Sequence, residues 1–178
     1  MSFDIGDAVP PFTLSDTEGV EHSVPIDDAP EATVVIVMCN HCPFVQAWNP
    51  RVAAVAKEYT PRGVRFLSIN SNDATRFPAD SFDRMVQFAT DRHWPMPYLH
   101  DESQAVARAL DAQVTPHLFV LDREHMLVWT GAPDQDPGDE NEDENAGWLR
   151  EALESVLAGC KPAIEQRALR GCSVKWKQ

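Results

Sequence analysis

The chain has 178 residues, 43% of them hydrophobic and 24% charged, which suits one domain with a good-sized core and excludes a disordered or fibrous chain. Acidic side chains outnumber basic ones 28 to 15, for a formal net charge of −13, and the cations comprise 11 arginines and 4 lysines. That surface repels phosphate and anionic lipid, so nucleic acid and membranes are not expected partners; its wealth of carboxylate suits work in concentrated salt, where screening removes self-repulsion.

In chain order, Met1–Asp4 lacks the basic and apolar regions of a secretory signal, which predicts a cytoplasmic protein. Within 1–30, short extended pieces at Pro11–Leu14 and His22–Val24 flank a turn at Asp16–Gly19, predicting an N-terminal β-hairpin extension. Thr33–Met38 is a continuous, largely β-branched run, the pattern of a central strand buried on both faces and far too short to cross a bilayer. A helix follows, with Phe44, Trp48, Val52, Val55 and Tyr59 on one face until Pro61 and Gly63 stop it. Val64–Ile69 reads as a second buried strand and 70–78 as a polar connection. Asp80 or Ser81 can cap the next helix, whose inner face takes Phe82, Met85, Val86 and Ala89. After Pro95 and Pro97 come a short Tyr98–Leu99 segment and a small helix, Asp101–Leu110, with Ala105, Val106, Ala109 and Leu110 inward. His117–Leu121 and Met126–Thr130 lie close enough to pair as a hairpin. The segment 132–146 holds seven carboxylates between Asp134 and Glu144 and reads as a solvated, flexible loop. A last amphipathic helix uses Trp148, Leu149, Leu153, Val156 and Leu157, and 160–178 is an irregular tail. The order β-α-β-α, a short helical insert, then β-β-α predicts a single α/β domain with a mixed sheet and helices on both faces.

Of the four cysteines, Cys39 and Cys42 stand three apart where the buried strand hands over to the helix. A thiol attacks as thiolate. Orphan amides and the positive end of the dipole gather at a helix start, where a cysteine of ordinary pKa about 8.5 falls to roughly 3.5–7.5. Spacing across one helical turn brings the sulfurs within bonding reach, with Cys39 outermost and Cys42 turned inward. Cys39 is therefore expected to attack a disulfide and Cys42 to resolve the mixed disulfide. His41, between them, adds stabilisation to a Cys39 thiolate, and Pro43 suits a first turn that needs no amide donor. A C-x-x-C can also be half of a zinc site, but no second copy exists. Val114-Thr115-Pro116-His117 is a second signal, because a proline directly before a β-run belongs at a strand start or a special turn.

A strand running into Cys39-Asn40-His41-Cys42-Pro43, with Thr115-Pro116 later ahead of an antiparallel hairpin, resembles the thioredoxin superfamily. The resemblance implies that Pro116 is cis and packs beside the cysteines, and that Thr115 faces substrate. Val9-Pro10-Pro11-Phe12-Thr13-Leu14, Ile69-Asn70-Ser71-Asn72-Asp73 and Gly171-Cys172-Ser173-Val174-Lys175-Trp176-Lys177 are similar to a peroxiredoxin-like branch of it, over nearly the whole chain. Peroxiredoxins place Thr or Ser three residues before the peroxidatic cysteine and Pro four before that. Those positions hold Cys39 and Val35 counted from Cys42, and Ile36 and Ala32 counted from Cys39. The expected activity is thus thiol–disulfide exchange with protein or small-molecule disulfides and a thiol reductant, without a cofactor. Peroxide reduction is the alternative.

Cys172 shares its tail with Arg170, Lys175 and Lys177 and is a candidate third redox thiol, favoured as thiolate by those cations and brought to the pair by a mobile tail. Cys160, after Gly159 at a helix end, reads as inert packing. His117 and His125 can be combined with Cys39 and Cys42 as a copper or zinc site without catalysis. Ordinary core or surface histidines are the default, so no metal site is assigned.

Overall fold

The computed structural model describes residues 2–178. The N-terminal hairpin forms from β1 (Phe12–Ser15) and β2 (Glu21–Val24), antiparallel, with Phe12 opposite Val24. Strand β3 (Ala32–Met38) is buried along its whole length, as a β-branched run between two packed layers must be. Helix α1 (Pro43–Tyr59) lays Val45, Trp48, Val52, Val55 and Tyr59 against the sheet. Gly63, at φ +89°, ends the following 3-10 turn in a left-handed conformation that glycine adopts without strain. There follow β4 (Val64–Asn70), α2 (Phe82–Asp91), β5 (Tyr98–His100), α3 (Ala105–Ala109), β6 (Val114–Thr115), β7 (His117–Leu121), β8 (Leu127–Gly131), α4 (Gly147–Leu157) and β9 (Cys172–Ser173).

The main sheet runs β5-β4-β3-β7-β8, parallel from β5 to β3 and antiparallel beyond. Alternation along β3 sends Val34, Ile36 and Met38 into a core shared with α1, α2 and α4. Val35 and Val37 enter a second core with α3, the N-terminal segment and the tail. This is the mixed α/β sheet, flanked by helices and preceded by a hairpin, that the order of elements predicts.

Details differ where packing outweighs pattern. In α2, Phe88 is buried against Trp94 and Tyr98, while Phe82 is 39% exposed. Helix α3 begins later than expected and turns Ala107 inward in place of Ala105 and Ala109, because the Ala107 amide is drawn onto buried Asp101 (2.9 Å). The acidic segment does not start as a solvated loop. Asp134 is buried and accepts from the Trp48 indole (2.7 Å), Arg51 Nη1 (2.7 Å) and the Ala146 amide (2.9 Å). The tail is irregular apart from β9, but it is tied down: β9 pairs antiparallel with β6, setting Cys172 opposite Thr115. The Lys175 amide then donates to Asn72 Oδ1 (2.9 Å) and the Lys177 amide to Gln104 Oε1 (2.8 Å). Cys160 is exposed instead of packed.

Candidate active site

Cys39 follows the last residue of β3, and Cys42 stands at the N-cap of α1 with extended backbone, its carbonyl accepting the Gln46 amide (3.0 Å). Pro43 occupies the first helical position, where no amide donor is needed. Asn40 clamps the connection. Its amide donates to Asp80 Oδ1 (2.7 Å), its side chain to the Ala79 carbonyl (3.0 Å), and its Oδ1 accepts from the Tyr98 hydroxyl (2.8 Å). The Thr115–Pro116 bond is cis, as the family resemblance implies. Thr115 touches both cysteines: its hydroxyl lies 3.5 Å from Cys39 Sγ, and its carbonyl oxygen accepts from Cys42 Sγ at 3.2 Å.

Neither sulfur reaches the surface: Cys39 is 1% exposed and Cys42 is fully covered, with Cys172 of β9 packed against the same cluster. The charge also departs from expectation. Cys39 is pushed up, first because its proton is shared with Cys42, then by burial and by the neighbouring Asp80 carboxylate. Cys42 is pulled down to about 4, because it receives that proton; burial opposes the shift, while the Val45 amide and the thiol and amide of Cys172 add to it. A proton on Cys42 is donated to the Thr115 carbonyl. Cys172 is raised to about 11 by burial and by its hydrogen bond to Cys42.

Asp80 escapes a sequence reading because it resembles a helix cap. The N-cap of α2 is in fact Ser81, and the fully buried Asp80 carboxylate faces the cysteine connection. His41 Nδ1 lies 2.6 Å from Asp80 Oδ2, close but off the line of a hydrogen bond. The Asn72 side chain donates to the same oxygen (2.8 Å), and Phe77 stacks on the imidazole with centroids 6.0 Å apart. The donor atoms of Cys39, His41 and Asp80 come within 4.8 Å of one another, which among the described residues is the grouping able to hold a metal ion. His117 and His125 have no part in it. His117 is engaged by the Gln113 amide and the Thr130 hydroxyl, and His125 by Ile26, so the copper or zinc set read from the sequence is not assembled. Outward from Cys39, His41 joins Asn40, Gln46, Arg84 and Arg92 in lining a cleft of about 520 Å³.

Two cysteines at a strand-to-helix junction beside a cis-proline, on a mixed sheet, define a thiol-dependent redox protein of the thioredoxin-like class. Residues 5–130 match the AhpC/TSA family, and the chain belongs to this family of thiol-based oxidoreductases and peroxidases. It is similar in structure to an uncharacterized conserved protein from Geobacillus kaustophilus, with 37% identity and a TM-score of 0.92 over 98% of this chain and 93% of that one. A hypothetical protein from Sinorhizobium meliloti is 33% identical, with a TM-score of 0.93 over 99% of this chain and 97% of its own. The peroxidoxin BcpB from Mycobacterium tuberculosis shares the fold at 19% identity, with a TM-score of 0.63 over 83% of this chain and 97% of that one. No curated protein matches the chain.

Proposed function

We propose that the protein is a thiol–disulfide oxidoreductase in which Cys39 attacks and Cys42 resolves. The observation that carries this is the pair itself: two cysteine sulfurs at the junction of β3 and α1 both meet Thr115, next to a cis-proline. Cys39 takes the attacking role because it adjoins His41, whose side chain is 33% exposed and borders the cleft, whereas Cys42 has no exposed surface. His41 removes the Cys39 proton, and Asp80 balances the imidazolium. The Cys39 thiolate attacks one sulfur of a substrate disulfide, a mixed disulfide forms, and the other substrate sulfur leaves as thiolate. Cys42, the readier anion, then attacks Cys39 Sγ; the Cys39–Cys42 bond forms and the second substrate thiolate departs. A thiol reductant reverses the exchange.

Peroxide reduction keeps its place as a second reading, because the family includes peroxidases. Against it, Val35, Ile36 and Cys39 stand where a peroxidase site needs proline and a hydroxyl. A redox titration in glutathione buffers decides the first reading. Two thiols should disappear and return together in the native protein, and Cys39→Ser should abolish exchange with a dithiol reporter substrate. Failure of any pair of thiols to respond reversibly defeats the assignment. For the second, rapid mixing with hydrogen peroxide must oxidise a cysteine far faster than it oxidises a free thiol.

A further inference from the structure

Thr115 is shared by three cysteines. Cys39 and Cys42 meet its hydroxyl and carbonyl on one side, and on the other its backbone pairs with Cys172. Cys172 also packs on the cluster that contains Cys39 and Cys42. The approach is built for. The residue before Cys172 is Gly171, where an added Cβ would lie 2.3 Å from the Thr115 carbonyl oxygen, a distance no side chain tolerates. Beyond it Val174 is buried, and the Asp73 amide and the Gln104 side chain bind the Lys175 carbonyl (2.8 and 2.9 Å). A cysteine is thereby held at the reactive pair by backbone pairing, steric fit and a clamped tail.

We propose that Cys172 is a third redox-active cysteine, the internal exchange partner of Cys42, so that the oxidised protein distributes between Cys39–Cys42 and Cys42–Cys172 disulfides. This rests on the redox assignment of Cys39 and Cys42. The Cys172 thiolate attacks Cys42 Sγ; the Cys42–Cys172 bond forms and the Cys39–Cys42 bond breaks. Cys39 leaves with the bonding electrons and takes up the proton that Cys172 gave away. No net oxidation occurs, and Cys39 is returned to the thiol state facing the His41 cleft while the oxidising equivalent is stored beneath it.

The test equilibrates the full-length protein in reduced and oxidised glutathione, quenches with acid, alkylates, and maps disulfide-linked peptides by mass spectrometry. Native protein should yield both Cys39–Cys42 and Cys42–Cys172 linkages. Cys39→Ser, with three cysteines left of the four, should consume two thiols and leave only Cys160. Gly171→Ala should lower the Cys42–Cys172 fraction at least tenfold while Cys39–Cys42 still forms. Should native protein form Cys39–Cys42 alone, and Cys39→Ser carry only glutathione on Cys42, the third-thiol role is overturned and the pair survives. Absence of every linkage in native protein overturns both. Native-protein mapping decides the matter even if a variant fails to fold.

Discussion

His117 provides a stringent test of how the sheet beside the site is wired. It is buried on β7, directly after cis-Pro116. Nδ1 accepts the Gln113 amide (3.2 Å), and Nε2 lies 2.9 Å from the Thr130 hydroxyl, whose own proton goes to the Leu118 carbonyl (2.9 Å). Thr130 therefore has only a lone pair to offer the ring. The imidazole must carry its proton on Nε2 and keep Nδ1 bare. A second proton would point at the Gln113 N–H, and burial opposes the charge, holding the group near 4 instead of the usual 6.5. Unfolded chains bind this proton near pH 6.5 and the folded one near pH 4, so the stabilisation is complete above 6.5 and drains away as pH falls toward 4. Between pH 7.5 and 4.5 the loss from this group is about 2–3 kcal/mol. His117→Gln removes the titration while keeping a donor toward Thr130. Urea unfolding of both proteins at both pH values should show native protein losing about 2–3 kcal/mol more than the variant. Other acid-sensitive groups, such as Glu154 held near 2 by Arg62 and Tyr59, are present in both and cancel. Equal acid losses would refute the assigned tautomer and burial.

Four further outcomes are expected. Asp80→Asn removes a charge that raises Cys39, so iodoacetamide should label Cys39 faster at pH 7, while disulfide exchange slows about tenfold as His41 loses its counter-charge; equal signs in the two assays contradict the assigned roles. Thr115→Val withdraws the hydroxyl that lowers Cys39, and a thiol-probe titration should find Cys39 less acidic than in the native protein. Gly63→Ala forces a Cβ into a φ of +89° with Glu31 Cγ 3.1 Å away, which should cost about 1–2 kcal/mol in urea unfolding. With a net charge of −13, the midpoint of thermal unfolding should rise between 0.05 and 2 M KCl, roughly the range over which the Debye length shrinks below contact distances; a fall would show that exposed pairs such as Arg62–Glu154 outweigh net repulsion.

Local signals carried most of the architecture. The β-branched run before Cys39, the apolar stripe from Phe44 to Tyr59 and the Thr115–Pro116 step each specify their element through neighbours in sequence, and each is found where it was expected. What stayed illegible depends on distant partners. Nothing near Asp80 marks it off from a helix cap, because its role is set by the Asn40 amide and by Asn72 and His41. Phe82 and Phe88 are equally apolar in sequence, and only the Trp94 and Tyr98 rings decide which is buried. The basic tail looks unstructured because two-residue strands have no pattern of their own; Gly171 was the one visible clue, and its meaning needs the Thr115 carbonyl opposite. Burial of Cys39 has the same origin, since the residues around it come from four separate segments.

Asp134 binds the flank of α1 through Trp48 and Arg51, and it also receives the amide of Ala146, the residue from which α4 departs. One carboxylate thus rivets mid-helix to helix start across a stretch whose remaining acids repel one another. The two helices can part only together. In hydrogen–deuterium exchange, the Trp48 indole and the Ala146 amide should give up their protons at a common rate, that of whole-domain opening.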